Sequence, residues 1–183
     1  MTLNMREYHH LAMRTSPRDG HDKMENGILG LIGETGELVD LFKKFAFQST
    51  PDAQLPSIRM AEELGDVLWY MVELADGMGM ELCDICTSFA LWDERAQQPH
   101  VRPSLRNTVV RLARQASILS REVERGNKEK IFQEMRHLIR LAARLGRVIG
   151  RPLTQIAWQN IEKLKARYPE GFSAEISMAR YEQ

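Results

Sequence analysis

The chain is expected to fold as an all-α helical bundle. Apolar residues recur at three-and-four spacing along almost its whole length, β-branched alternating runs are few, and Pro, Gly, Ser and Asn break the pattern at helix-length intervals. Seven helices follow, over approximately 4–14, 24–47, 56–77, 80–95, 104–125, 128–149 and 152–167. The first ends before Pro17 and Gly20. The second carries GILGLIGETGELVDLFKKFAF and stops at Ser49-Thr50-Pro51, with Lys43 and Lys44 in its last turns, where cations suit the negative end of the helix dipole. The third opens on Pro56, a proline suited to a first turn, carries EELGDVLWY and ends at Gly77 and Gly79. The fourth runs up to the polar, Pro-containing stretch Ala96–Pro103, the best candidate linker between an acidic half, 1–95, and a basic half, 96–183. The fifth and sixth are divided by Gly126-Asn127, and the last opens after Gly150 on Pro152. At 183 residues and 43% hydrophobic content, one compact unit with a sizeable core is expected.

Formal net charge is zero, yet residues 1–95 hold 8 Lys/Arg against 17 Asp/Glu and residues 96–183 hold 17 against 8. Halves of −9 and +9 suit charge-driven docking between them, or an acidic metal-holding half facing a basic half that grips an anion; two solvated surfaces of opposite bias explain the numbers equally well. No apolar run approaches the roughly 20 residues that span a bilayer, and MTLNMREYHH has no apolar signal-peptide core, so a cytoplasmic protein without a membrane partner is expected. Cys83 and Cys86 form a lone CxxC without a second pair, which reads as small hydrophobes and not as a zinc site.

The most informative residues are two acidic pairs inside apolar helices: Glu34-x-x-Glu37 in GETGEL and Glu63-x-x-Asp66 in EELGDVLWY. Residues three apart share a helix face. Packed side by side, the two helices would converge four carboxylates on one place, which a core tolerates only with compensation, and a divalent cation supplies it. Hard oxygen ligands suit Mg²⁺, with Mn²⁺ as an alternative, and Mg²⁺ commonly completes its shell with water and substrate phosphates. Gly30, Gly33 and Gly36 each cost about 1 kcal/mol relative to Ala in a helix interior. Close helix–helix approach is expected to offset that cost and draw the carboxylates together.

GETGEL followed by EELGDVLWY resembles the ExxE…ExxD signature of the MazG-like all-α nucleoside triphosphate pyrophosphohydrolases. Asn160-x-x-Lys163-Leu164-x-x-Arg167-Tyr168-Pro169-x-Gly171-Phe172 is similar to that family's closing segment, and Tyr8 and Arg14-Thr15 to its opening one. The resemblance covers 5–94 and 157–173. It implies metal-dependent hydrolysis between the α- and β-phosphates of an NTP or dNTP, giving monophosphate and pyrophosphate as a nucleotide-pool house-cleaning reaction. It further implies that Glu34, Glu37, Glu63 and Asp66 hold the metal and that Glu34, with Glu37 beside it, orients or deprotonates the attacking water. Asn160, Lys163, Arg167 and Tyr168 would meet substrate, and Lys43 either reaches phosphate or only caps its helix. A homo-oligomer, first of all a dimer, is expected because family sites are built at helix interfaces.

Leu74-Ala75-x-x-x-Gly79-x-x-Leu82-x-x-Ile85 resembles Leu145-Gly146-x-x-x-Gly150-x-x-Leu153-x-x-Ile156 at a constant offset of 71, which suggests an internally duplicated, pseudo-dimeric chain. That register sets Glu63 on Glu134 and Asp66 on His137. A helical insertion is the rival explanation. Arg136, Arg140, Arg144, Arg147 and Arg151 form a basic stripe, for which a solvated or salt-bridged face is the simpler reading. Other functions weighed are a non-catalytic nucleotide-binding relative, a phosphoribosyl-ATP pyrophosphohydrolase-type activity, a di-iron bundle drawing on Glu134-x-x-His137, and a nucleic-acid binder. The di-iron reading needs a second Glu-x-x-His, which the sequence does not supply. The acidic half argues against nucleic acid as a partner.

Overall fold

A computed structural model describes residues 3–16, 20–86, 88–89, 92–93 and 104–179. The described residues are helical, with no strand among them. In chain order the helices are α1 (Met5–Met13), α2 (Gly20–Gln48), α3 (Ser57–Gly77), α4 (Leu82–Ile85), α5 (Leu105–Glu124), α6 (Lys128–Val148), α7 (Leu153–Arg167) and α8 (Ala174–Met178).

Local chemistry sets several boundaries. Asn4 caps α1 by accepting from the Glu7 amide at 2.9 Å while Glu7 accepts from the Asn4 amide at 3.1 Å, a reciprocal capping box. Ser104 and Asn127 cap α5 and α6 with their side chains. Pro56 and Pro152 occupy the cap positions of α3 and α7, one residue before the first turns where the sequence sets them. Pro152 offers no side-chain acceptor to α7. Asp93 supplies one from elsewhere in the chain, accepting from the Leu153 amide at 2.6 Å and from the Thr154 amide and hydroxyl at 3.0 Å.

The expected fourth helix is a correction. The described residues break it: Leu82–Ile85 is helical, the chain turns extended at Cys86, with φ −150° and ψ 121°, and Phe89, Trp92 and Asp93 are helical again. Leu82, Ile85, Phe89 and Trp92, whose spacing suggested one helix, are all buried. Their shared burial is met without a continuous helix, in a stretch where Ile85-Cys86-Thr87-Ser88 has low helix propensity. The candidate linker 96–103 lies outside the described residues.

The helices α2 and α3 pack along one another, α2 also packs against α5, α5 against α6, and α3 against α7. Apolar side chains of both halves, among them Leu31, Leu68, Leu119 and Ile139, merge into one core. The acidic and basic halves therefore meet largely through apolar contact. Lys163 with Asp66 is an ion pair that joins them. Arg136 and Arg140 in the basic stripe are exposed and lie over the rings of Phe132 and Trp92 at 5.9 and 5.5 Å. Cys86 is buried and Cys83 half-buried, and no disulfide joins them. No helix of the described residues is long and apolar enough to cross a membrane.

The glycine expectation holds at one of its three positions. A Cβ on Gly30 would lie 2.1 Å from the Tyr70 ring, so the absent side chain lets α2 approach α3 there. Around Gly33 and Gly36 such a Cβ meets nothing within 4 Å. The second close approach is at Gly27, where a Cβ would fall 2.6 Å from the Leu74 backbone nitrogen. Gly27 and Gly30 share a face three residues apart. The seam lies on that face, one turn ahead of the sequence-based assignment.

Candidate functional site

The α2–α3 seam carries the acidic pairs to one end of a cavity of about 660 Å³. Glu34 and Glu37 on α2 and Glu63 on α3 each offer a carboxylate oxygen, and these three atoms lie within 4.8 Å of one another. The surroundings of Glu34 and Glu63 make ionisation costly. Burial, then the charges of Asp66, Glu37 and Glu63, push the Glu34 carboxyl up to about 7. Burial, followed by Glu37 and Asp66, raises Glu63 as well.

Asp66 lines the same cavity but is engaged differently. Lys163 of α7 places its Nζ 2.5 Å from both Asp66 carboxylate oxygens, and the Asn160 amide donates to Asp66 Oδ1 at 2.9 Å. Asn160 is buried and also accepts from the Tyr8 hydroxyl at 3.0 Å. Both ends of its amide are thus committed, which makes it a strut between α1, α3 and α7. Gly65 leaves room for that strut, since a Cβ there would sit 3.1 Å from the Asn160 side chain.

Of the other residues singled out from sequence, Lys163, Arg167 and Tyr168 line the cavity. Lys43 is not among its lining residues. It pairs with Asp40 on its own helix, as does Lys44 at 2.7 Å, so both lysines serve the end of α2.

The cavity is also lined by Thr15, Trp69, Tyr70 and Phe172, which fall within the motif segments, and by Asn26, which does not. Trp69 is fixed by donating from Nε1 to the Ala12 carbonyl at 3.1 Å and to the Thr15 hydroxyl oxygen at 3.0 Å, and it stands edge-on to Tyr70 at 4.8 Å. Asn26 donates to Glu73 Oε2 at 2.5 Å, and Ser16 donates to Glu73 Oε1 at 2.7 Å. Glu73, fully buried in the middle of α3, forms Glu73-x-x-Asp76, the same acidic spacing as Glu63-x-x-Asp66, and the sequence reading did not single it out. Behind it, His9 accepts the Leu82 amide on Nδ1 at 3.1 Å, which leaves Nε2 to donate to Asp76 at 2.8 Å.

Three clustered carboxylates, among which burial and neighbouring charge raise the proton affinity of Glu34 and Glu63, suit a hard divalent cation, and the cavity beside them is large enough for a nucleotide. The donor set contains oxygen only, which favours Mg²⁺ or Mn²⁺ over zinc. No curated protein and no solved structure matches the chain. The model of the MazG nucleotide pyrophosphohydrolase domain matches residues 23–90, which hold both acidic pairs, the Gly27–Gly30 seam and the Trp69–Tyr70 wall. Over residues 23–90, the chain is similar to the MazG nucleotide pyrophosphohydrolase domain.

Proposed function

We propose that the protein hydrolyses nucleoside triphosphates between the α- and β-phosphates, releasing nucleoside monophosphate and pyrophosphate, as a house-cleaning activity on the nucleotide pool. The observation that carries this reading is the meeting of Glu34, Glu37 and Glu63 at one end of a nucleotide-sized cavity inside the matched domain. Glu34, Glu37 and Glu63 would hold Mg²⁺, with Asp66 joining them where substrate draws Lys163 away. When bound, the metal supplies charge neutralisation for the phosphate oxygens and acidifies water.

The chain's own residues divide the remaining work. Glu34, with its raised proton affinity, is suited to take a proton from the attacking water near neutral pH. Lys163 and Arg167, both on the cavity wall, supply fixed cations for phosphate oxygens. Trp69 and Tyr70 offer aromatic surface to a base, held in place by the Ala12 and Thr15 contacts of Trp69. The reaction is placed in the cytoplasm, and the assembly is read as a homodimer.

One observation favours a second reading, nucleotide binding without turnover: Asp66 is already paired with Lys163 and hydrogen-bonded by Asn160. Product identification separates the two. Incubation of a panel of NTPs and dNTPs with Mg²⁺ should yield monophosphate and pyrophosphate and rank the bases. Nucleoside diphosphate with orthophosphate would refute cleavage at the α–β bridge, and binding without any product would establish the second reading.

A further inference from the structure

Exchanging α2 with α5, α3 with α6 and α4 with α7 carries each contact between these helices onto another or onto itself. The α2–α3 contact maps on α5–α6, α3–α7 on α6–α4, and α2–α5 on itself. The second pair coincides in detail. α3 spans Ser57–Gly77 and α6 spans Lys128–Val148, both ends displaced by 71. At the same displacement each is followed by a glycine in the left-handed region, Gly79 at φ +70° and Gly150 at φ +73°. Each end is closed by the same long-reach bond, Met80 to Ala75 at 2.9 Å and Arg151 to Gly146 at 2.7 Å. Leu82 and Leu153 then begin the next helices, and both are fully buried.

The α2–α5 relation has its own register, read from burial. Gly27, Ile28, Leu31, Thr35, Leu38 and Leu41 are buried, and so are Thr108, Val109, Leu112, Ala116, Leu119 and Glu122, each displaced by 81. The shorter turn between α5 and α6 and the earlier end of α5 account for the difference between the displacements. Together the registers set Gln115 on Glu34, Ile118 on Glu37, Glu134 on Glu63 and His137 on Asp66. A contact that neither register used supports this: Gln115 donates to Glu134 Oε2 at 2.5 Å, where its counterparts Glu34 and Glu63 also meet. His137 Nδ1 lies 3.4 Å from the same Glu134 oxygen.

We infer that α5–α7 is a degenerate second copy of the α2–α4 unit, and that Gln115, Glu134 and His137 are its former metal site, converted into a metal-free hydrogen-bonded cluster. The inference rests on the reading of Glu34, Glu37, Glu63 and Asp66 as the metal site. In the second copy an amide N–H satisfies the one remaining glutamate, and Ile118 removes a ligand, so no cation is needed. The chain then holds both halves of a two-fold unit with a single working site.

The test is Mn²⁺ binding followed by the loss of the free-ion electron paramagnetic resonance signal. Wild type should bind Mn²⁺ at the first site and lose it on Glu37→Gln. The variant Q115E/I118E/H137D should gain a further equivalent of Mn²⁺, retained when Glu37→Gln is added. Wild-type stoichiometry in a triple variant with unchanged circular dichroism would overturn the inference. Should that variant not fold, H137D, at a half-exposed position, is expected to bind additional Mn²⁺ weakly and to lose it on Glu134→Gln; no gain there overturns the inference equally. A wild type that binds no Mn²⁺ beside a triple variant that does would refute the reading of the first site while supporting the duplication.

Discussion

Glu34 is the residue whose chemistry is most distorted by its place in the fold. Its carboxyl is raised from 4.5 to about 7, so in the metal-free protein the folded state binds that proton more tightly than the unfolded chain. The resulting stability is fully present below the unfolded value of 4.5 and is lost as pH rises through about 7. With a chelator present, the melting temperature should therefore fall between about pH 5 and 8, and Glu34→Gln should flatten that slope and raise the value at pH 8. A slope unchanged in the variant would show that the cluster does not govern it. Asn160 tests the strut. Asn160→Ala leaves the fully buried Tyr8 hydroxyl without its acceptor and should cost about 1–3 kcal/mol in urea unfolding, whereas Tyr8→Phe, which removes the donor as well, should cost about 1 kcal/mol. The motif resemblance marked Asn160 for phosphate, and its spacing gives no hint of the partner 152 positions away that holds it in the core.

At the scale of elements, the glycines of α2 separate seam from surface. Gly27→Ala and Gly30→Ala force a Cβ into the Leu74 backbone or the Tyr70 ring and should destabilise by about 1–3 kcal/mol. Gly33→Ala and Gly36→Ala meet open space and should stabilise by up to about 1 kcal/mol through helix propensity alone. Thermal unfolding of the four variants reads out the sign directly. The sequence showed that this helix tolerates an unusual glycine load, but the phase of the seam depends on which residue of α3 lies opposite, and only packing supplies that. The cap of α7 is similar. Asp93 gives no local sign of its role, and Asp93→Ala should cost about 1–2 kcal/mol by releasing the Leu153 and Thr154 amides. Helix boundaries written in Pro56, Gly79, Gly126 and Pro152 were legible to within a residue because φ restriction and left-handed turns are local properties. The break at Cys86 was not, since the buried spacing of Leu82, Ile85, Phe89 and Trp92 mimics a continuous helix.

For the whole molecule, the acidic and basic halves share one apolar core, joined by the Lys163–Asp66 ion pair. On the duplication we infer, the acidic pairs of α2 and α3 correspond to Gln115, Ile118, Glu134 and His137 of α5 and α6. The acidic motifs were legible because charge inside an apolar helix demands compensation. The rest of the cavity lining was legible in part, since Thr15 and Phe172 fall in the opening and closing segments and Trp69 in EELGDVLWY, whereas Asn26 looks ordinary where it stands. The central claim is that the Glu34–Glu37–Glu63 cluster is a divalent-cation centre for pyrophosphate-releasing hydrolysis. Its most direct test is the rate of pyrophosphate release from the preferred triphosphate, with and without Mg²⁺, by wild type and Glu37→Gln at matched helical circular dichroism. The account predicts release that requires Mg²⁺ and is abolished in Glu37→Gln; release that survives either the loss of metal or the loss of that carboxylate would contradict it.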